Sequence, residues 1–527
     1  MHKIDMNIIV FIFLLYNIVI VTATASYIEF ASILESHLIF SSLLIICELL
    51  NEELEMRKKM NESSLLKVSK LQVLPVLDAE FVPPVLWHRA YQQLCDADPE
   101  SRELVIALER PGQTVFKHKM EVLAASDEHA ALTFKAVERV VRFRLWQRGG
   151  TVIYIAGAPE VGEALAMAYT REGERSFTWD LMTRFFLSPL KVVVCGMDQL
   201  PAVNEKVLAL GRHMDGCRIG FDLGGSDRKC AAVVDGEVVF SEEIVWDPYF
   251  ESDPAYHFNG ICDSLKRAAE HLPHVDAIGG SAAGIYVDNE PRVASLFRGV
   301  PLDRYKSDVQ PIFKRVMQEW KDIPFVVIND GEVTALAGAI SLKDSPVLGI
   351  AMGTSLAGGY CDASGNITAW LNELAFAPVD YRDDAPADEW SGDCGCGVQY
   401  FSQQAVARLM PVAGIEVSDD MPLPKRLEHV QALMQAGDQR AVRIYATIGA
   451  YFGYSLAWYA EFYEIKHMLL LGRVSSGAGG DLIIKVAEDV LEKEFPQLDL
   501  QIKISMPDEK MKRHGQAIAA ASLPALS

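Results

Sequence analysis

The apolar positions of this chain keep three successive rhythms. Over residues 7–25 they run almost unbroken (NIIVFIFLLYNIVIVTATA), behind a short head carrying Lys3 and Asp5. That length is enough to span a bilayer. It ends in Ala23-Thr24-Ala25, a small-x-small pattern acceptable to signal peptidase. A second greasy stretch, 30–50, is broken by Glu35, His37 and Glu48. Residues 1–59 therefore read as a hydrophobic leader with three competing explanations: a membrane anchor, a cleaved signal, or an over-long start ahead of Met56 or Met60.

In residues 60–216 the rhythm alternates between strand and helix periods, which predicts an α/β region. Pro83-Pro84 marks a rigid turn before a short amphipathic helix over 87–95. Residues 103–109 and 114–123 predict a hairpin turning at Pro111-Gly112, and a helix then starts near Ser126 and runs to Trp146. Gly149-Gly150 stops it, and strand 152–156, helix 161–169 and strand 191–195 follow. Lys135, Arg139, Arg142, Arg144 and Arg148 recur along the helix and read as one solvated basic face.

From residue 217 the pattern sharpens. Strands are predicted over 218–223, 229–234, 237–244, 277–280, 325–329 and 347–352, with helices over 259–271, 309–320 and 332–341. Residues 103–158 and 218–284 share an order of hairpin, helix, strand and small-residue turn, an echo without residue identity.

Composition narrows the class. Half of the 527 residues are hydrophobic and 23% are charged, which excludes a wholly disordered chain. The 49 basic and 71 acidic side chains give a net charge of −22. Without residues 1–59 the net is still −19, so the acidity belongs to the globular part and argues against nucleic acid as a partner. Nine scattered cysteines fit a reducing compartment better than a disulfide framework.

Three small-residue turns follow predicted strands. Asp222-Leu223-Gly224-Gly225-Ser226, with Lys229 beyond it, combines a strand-end carboxylate suited to Mg²⁺ with glycines whose N–H groups approach phosphate. Gly353-Thr354-Ser355, running on to Gly359, repeats that logic. Residues 469–480 (LLLGRVSSGAGG) lead a strand into a helix N-terminus able to receive a nucleotide. Asn329-Asp330 ends another strand, where Asp330 reads either as a helix N-cap or as a base that takes a proton from a hydroxyl.

The order of these pieces resembles the ROK family of sugar kinases and sugar-responsive repressors, within the actin/hexokinase-like superfamily. Residues 217–527 carry the resemblance. The family's D-x-G-G-T-K corresponds to Asp222–Ser226 with two extra residues before Lys229, and S-x-P-G-x-V-D corresponds loosely to 281–288, without its proline. N-D-A-N-x-A-A-L corresponds to 329–336, G-T-G-x-G-G-G to 353–359, and L-G-G-G-V-S to 471–475.

The resemblance implies a two-lobed actin/hexokinase-like (ribonuclease H-like) α/β fold, preceded by an additional α/β region. It also implies an ATP-dependent sugar kinase with Asp330 as general base. Asp222, Gly224, Gly225, Ser226, Lys229, Gly353, Thr354 and Ser355 would hold phosphate and Mg²⁺; Gly472, Ser475, Gly477 and Gly479 would hold adenosine. Asn329, Glu373, Ser281 and Gly284 would meet the substrate. A sugar- or nucleotide-sensing regulator of the same fold is the alternative. The expected partners are sugar, nucleotide and a homodimer mate. The expected place is the cytoplasm, with a membrane involved only if the leader is an anchor.

Two motifs depart from the family. Its E-x-G-H reads Glu373-Leu374-Ala375-Phe376 here, so Phe376 stands where the histidine would be. Its zinc motif C-x-C-G-x-x-G-C keeps Cys394 and Cys396 but has Tyr400 and Phe401 in its last two places. With the histidine (Phe376 here) and the last cysteine (Phe401 here) gone, two of four ligands are missing and no structural zinc is expected.

Overall fold

The computed structural model describes residues 66–112, 114–205, 210–321, 323–368, 370–507 and 515–526, so the hydrophobic leader lies outside the described residues. Among the described residues no helix is long and apolar enough to cross a membrane.

Three sheets organise the chain. The first follows helix α1 (Pro84–Ala97) and contains β1 (Arg102–Arg110), β2 (Thr114–Val122), β3 (Val152–Ala156) and β4 (Lys191–Val194) in the order β2-β1-β3-β4. Helix α2 (Ala130–Arg148) joins β2 to β3, and α3 (Pro159–Ala168) and α4 (Ser176–Phe186) join β3 to β4.

The second sheet is built from β5 (Cys217–Leu223), β6 (Asp227–Val234), β7 (Glu237–Val245), β8 (Ala277–Ala282) and β11 (Phe325–Asn329). Helix α5 (Pro254–Ala269) precedes β8; the small β9 (Ile285–Val287) and β10 (Glu290–Val293) hairpin and helix α6 (Ile312–Glu319) lie between β8 and β11. The order is β11-β8-β5-β6-β7, with β5, β6 and β7 antiparallel in turn and β5, β8 and β11 parallel. An antiparallel meander extended on one side by parallel strands is the ribonuclease H-like plan.

Helix α7 (Asp330–Leu342) leads to the third sheet. Here β12 (Val347–Met352) pairs antiparallel with β13 (Leu356–Cys361). Helices α8 (Gln403–Ala413), α9 (Leu423–Gln435) and α10 (Gln439–Ala460) come next. They lead to β14 (His467–Leu471), helix α11 (Gly477–Glu494) and β15 (Lys503–Ser505), giving the order β13-β12-β14-β15, and α12 (Gln516–Ala521) closes the chain. The two-lobed actin/hexokinase-like fold expected for this part is present.

Two expectations change. The echo between 103–158 and 218–284 is one of order only: β1 pairs antiparallel with β3, whereas β5 pairs parallel with β8. The two units therefore have different topologies. Helix α2 is also not a solvated face, because Arg139, Arg142 and Arg144 are all buried. It is enclosed between its own sheet and the second lobe. Its arginines are neutralised by Glu138 and Asp393 or laid over the rings of Phe116 and Phe462. A basic periodicity thus marks a buried helix whose counter-charges are Glu138 on the helix itself and Asp393 from the second lobe.

Candidate active site

The first turn keeps its lysine on the site despite the two extra residues. Antiparallel pairing sets Lys229 directly opposite Asp222, with Nζ 3.8 Å from Asp222 Oδ2 and 3.4 Å from Asp227 Oδ1. The inserted Arg228 points the other way and is tied to α5 through Asp263 (2.6 Å) and Ser264 (2.5 Å). Gly224 N–H donates to the Asp227 carbonyl at 2.9 Å, closing the loop, and Ser226 at its tip is exposed. Asp222 is buried, opposite Ser281 in the β5–β8 ladder. Burial pushes its carboxyl up to about 6, opposed by the Ser281 hydroxyl and Lys229 and aided by Asp330.

The cap at 329–330 is assigned locally. Asn329 is the N-cap of α7: its Oδ1 accepts from Gly331 N–H at 2.7 Å, and its Nδ2 donates to the Gly284 carbonyl at 2.7 Å. Asp330 is the first residue of the helix, and its Oδ1 accepts its neighbour Gly331's N–H at 3.0 Å. Burial raises its pKa. Glu373 is raised to about 7, first by burial and then by the charge of Asp330. Asp222, Asp330 and Glu373 therefore share one electrostatic environment.

Backbone contacts bring the second turn to this group. A Cβ on Gly331 or Gly359 would run into the carbonyl of Gly358 or Gly331, so α7 starts directly on β13. The β12–β13 turn is tight, with Gly353 N–H donating to the Ser355 carbonyl at 2.9 Å, and Thr354 and Ser355 are exposed. The third turn leans on it. Gly472 has φ +95° and leaves no room for a side chain against Met352, whose carbonyl also accepts from Val474 N–H at 3.0 Å.

Ser475 is buried and spends its hydroxyl on the Gly472 carbonyl, while Gly479 is packed against the Tyr445 ring. Gly477, at φ +65°, has open space beside it at the N-terminus of the 18-residue α11.

The departures have physical replacements. Phe376 sits among aromatic rings, 4.7 Å from Trp146, 5.2 Å from Phe177 and 5.5 Å from Trp390. Two of these rings come from the added region. The backbone of α2 also holds the segment before Phe376, since Trp146 and Gln147 carbonyls accept from Glu373 and Asn372 N–H at 3.0 and 2.9 Å.

Beside Cys394 and Cys396, Asp393 is gripped by Arg175 (2.8 Å) and Arg142 (3.3 Å). Both arginines also face Glu138. Tyr400 sends its hydroxyl to Asp380 at 2.7 Å, and Phe401 is buried. Burial drives the Cys396 thiol up to about 12.

Sequence reasoning missed Glu332 and Asn372. Glu332 is buried on α7 and accepts from Asn372 Nδ2, and Asn372 Oδ1 accepts from Tyr463 OH at 2.7 Å. Burial raises Glu332 to about 8, opposed by the Asn372 bond. An acidic residue inside the largely apolar helix 330–342 was the available signal.

No family model matches this chain, and no curated protein does. Among solved structures it is similar to a ROK hexokinase from Thermus thermophilus, at 18% identity and TM-score 0.46, covering 58% of this chain and 97% of that one. It is similar to a ROK family glucokinase from Streptomyces griseus in complex with glucose and AMPPNP, at 20% identity and TM-score 0.42, covering 59% and 99%. A ROK family transcriptional regulator, a homologue of the E. coli MLC protein, is similar at 16% identity and TM-score 0.47, covering 59% and 78%.

Proposed function

We propose that this chain is a divergent ROK-type carbohydrate kinase, with 217–527 as its two-lobed catalytic part. One observation carries the reading: Asn329 caps α7, which leaves the neighbouring Asp330 carboxylate for chemistry among Asp222, Glu373 and the two phosphate-type turns. In this reading a sugar hydroxyl gives its proton to Asp330 as its oxygen attacks the γ-phosphate of ATP. Glu373 orients the sugar. Lys229 and the N–H groups of residues 225–226 and 354–355 at the turn tips face the phosphates, and Gly477 opens the α11 N-terminus to the nucleotide.

The buried, strand-end carboxylate of Asp222 fits a Mg²⁺ ion held through water, which would neutralise phosphate charge. The loss of the histidine at 376 changes the sugar contacts, so the preferred sugar is left to experiment. The chain is proposed to work in the cytoplasm, where ATP is found.

A sensor of the same fold is the second reading, favoured by the added region's grip on Asn372 and Glu373. The test is ADP release from ATP-Mg²⁺ over a panel of hexoses, pentoses and N-acetylhexosamines. Sugar-dependent turnover supports the kinase. Saturable sugar binding without turnover overturns it in favour of the sensor.

A further inference from the structure

A cavity of about 330 Å³ lies between the β1–β2 hairpin of the added region and the β13 edge of the second lobe. Its size falls at the lower end of small-ligand pockets, roughly 300–1,000 Å³. Arg148, the last residue of α2, lies inside it between two rings, 3.7 Å over Phe116 and 3.9 Å over Trp370. Its Nη1 reaches Glu205 at 3.0 Å, but its buried Nε has no partner. Thr368 also lines the cavity; it is 8% exposed, and its Oγ1 is buried without a partner. Arg110 completes the inner wall.

Positive charge accumulates behind this wall. Arg144 lies 4.7 Å over the same Phe116 ring, and its partners are Gln147, the Phe462 carbonyl and His118. Burial holds His118 down to about 3, so it too is uncharged near neutrality. The acids sit at the rim: Glu205 and Glu464 are exposed, and Asp362 spends Oδ1 on the N–H groups of Ser364 and Asn366. Deep cations, unpartnered donors and aromatic walls are the chemistry that recognises an anion on a small polar body.

We infer that this cavity is a binding site for a small anion-bearing molecule, a carboxylate or phosphate ester of about hexose size, gripped by Arg148 and Thr368. The site bears on the candidate active site. Tyr463 lines the cavity and bonds Asn372, which bonds Glu332, and Trp370 lies three residues before Glu373. An occupant therefore borders the segment that carries Glu373. Binding itself does not depend on the kinase reading.

The test is calorimetric titration of the full chain with inorganic phosphate, glucose 6-phosphate and gluconate. These probes separate a free anion, a phosphate ester and a carboxylate. The expected result is saturable binding of at least one probe, weakened about tenfold or more in Arg148→Gln, as loss of a charged hydrogen bond requires. Thr368→Val, nearly isosteric and remote from the ion pairs, is the second variant and weakens binding several-fold with the fold intact. Absence of saturable binding by all three probes, or binding unchanged in both variants, overturns the inference.

Discussion

The substitution Glu138→Gln tests the buried charge cluster of the added region, which reaches the second lobe at Asp393. Glu138 is 2% exposed and stands 2.6 Å from Arg175 Nε and 3.9 Å from Arg142 Nε. Asp393 balances the same two arginines from the other side, at 2.8 and 3.3 Å. Arg139 Nε also stands 3.7 Å from Glu138 and Glu174 stands 2.9 Å from Arg175, so three carboxylates face three guanidinium groups, and the glutamine leaves one positive charge without compensation. At 4 Å and an effective dielectric of about 20 each lost attraction amounts to ~4 kcal/mol. Breaking a buried pair in this way costs roughly 3–5 kcal/mol net.

Urea unfolding of the full chain should show that loss as a lowered midpoint. Burial alone would raise the Glu138 pKa, but Arg175 and Arg142 outweigh it, so it is held below the ordinary carboxylate value. The unfolded value is about 4.3, so the contribution is fully present above that pH and fades only as pH falls below it. A variant within about 0.5 kcal/mol of wild type at pH 7 would refute the reasoning.

Three further outcomes follow from the geometry. Glu332→Gln keeps the Asn372 bond and removes a carboxyl raised to about 8. Wild type should therefore lose stability relative to the variant as pH rises from about 4.3 to 8, read by unfolding midpoints across pH. Phe376→Ala removes the centre of the Trp146–Phe177–Trp390 cluster and should cost about 3–5 kcal/mol in the same unfolding assay. Gly472→Ala forces a side chain against the Met352 carbonyl at φ +95°, and should weaken ATP binding measured by titration while leaving the added region folded.

Much of the frame was legible because strand ends and small-residue turns have a local cause. The strands 325–329 and 347–352 match the observed β11 and β12, and the first turn's lysine stays in register despite the insertion. What the sequence concealed depends on partners distant along the chain. The arginines of α2 read as solvent-facing because one counter-charge, Asp393, lies more than two hundred residues beyond Arg142. Helix α4 was not read at all, since its cue, an apolar face closed by Leu187 at φ +54°, matters only once it packs. Asp330 read as a possible cap, whereas the cap is Asn329, whose side chain accepts from Gly331 N–H. The role of Asn372 rests on a hydrogen bond to Tyr463, ninety-one positions later, which no local pattern announces.

The central claim is that Asp330 takes the proton of a sugar hydroxyl. Its most direct test compares sugar-dependent ADP release by wild type and Asp330→Asn, with folding checked by circular dichroism and ATP affinity by titration. The account predicts a fall of about 10²–10⁴-fold in turnover with ATP binding retained, the range expected for loss of a general base. Turnover in Asp330→Asn within a few-fold of wild type would contradict it.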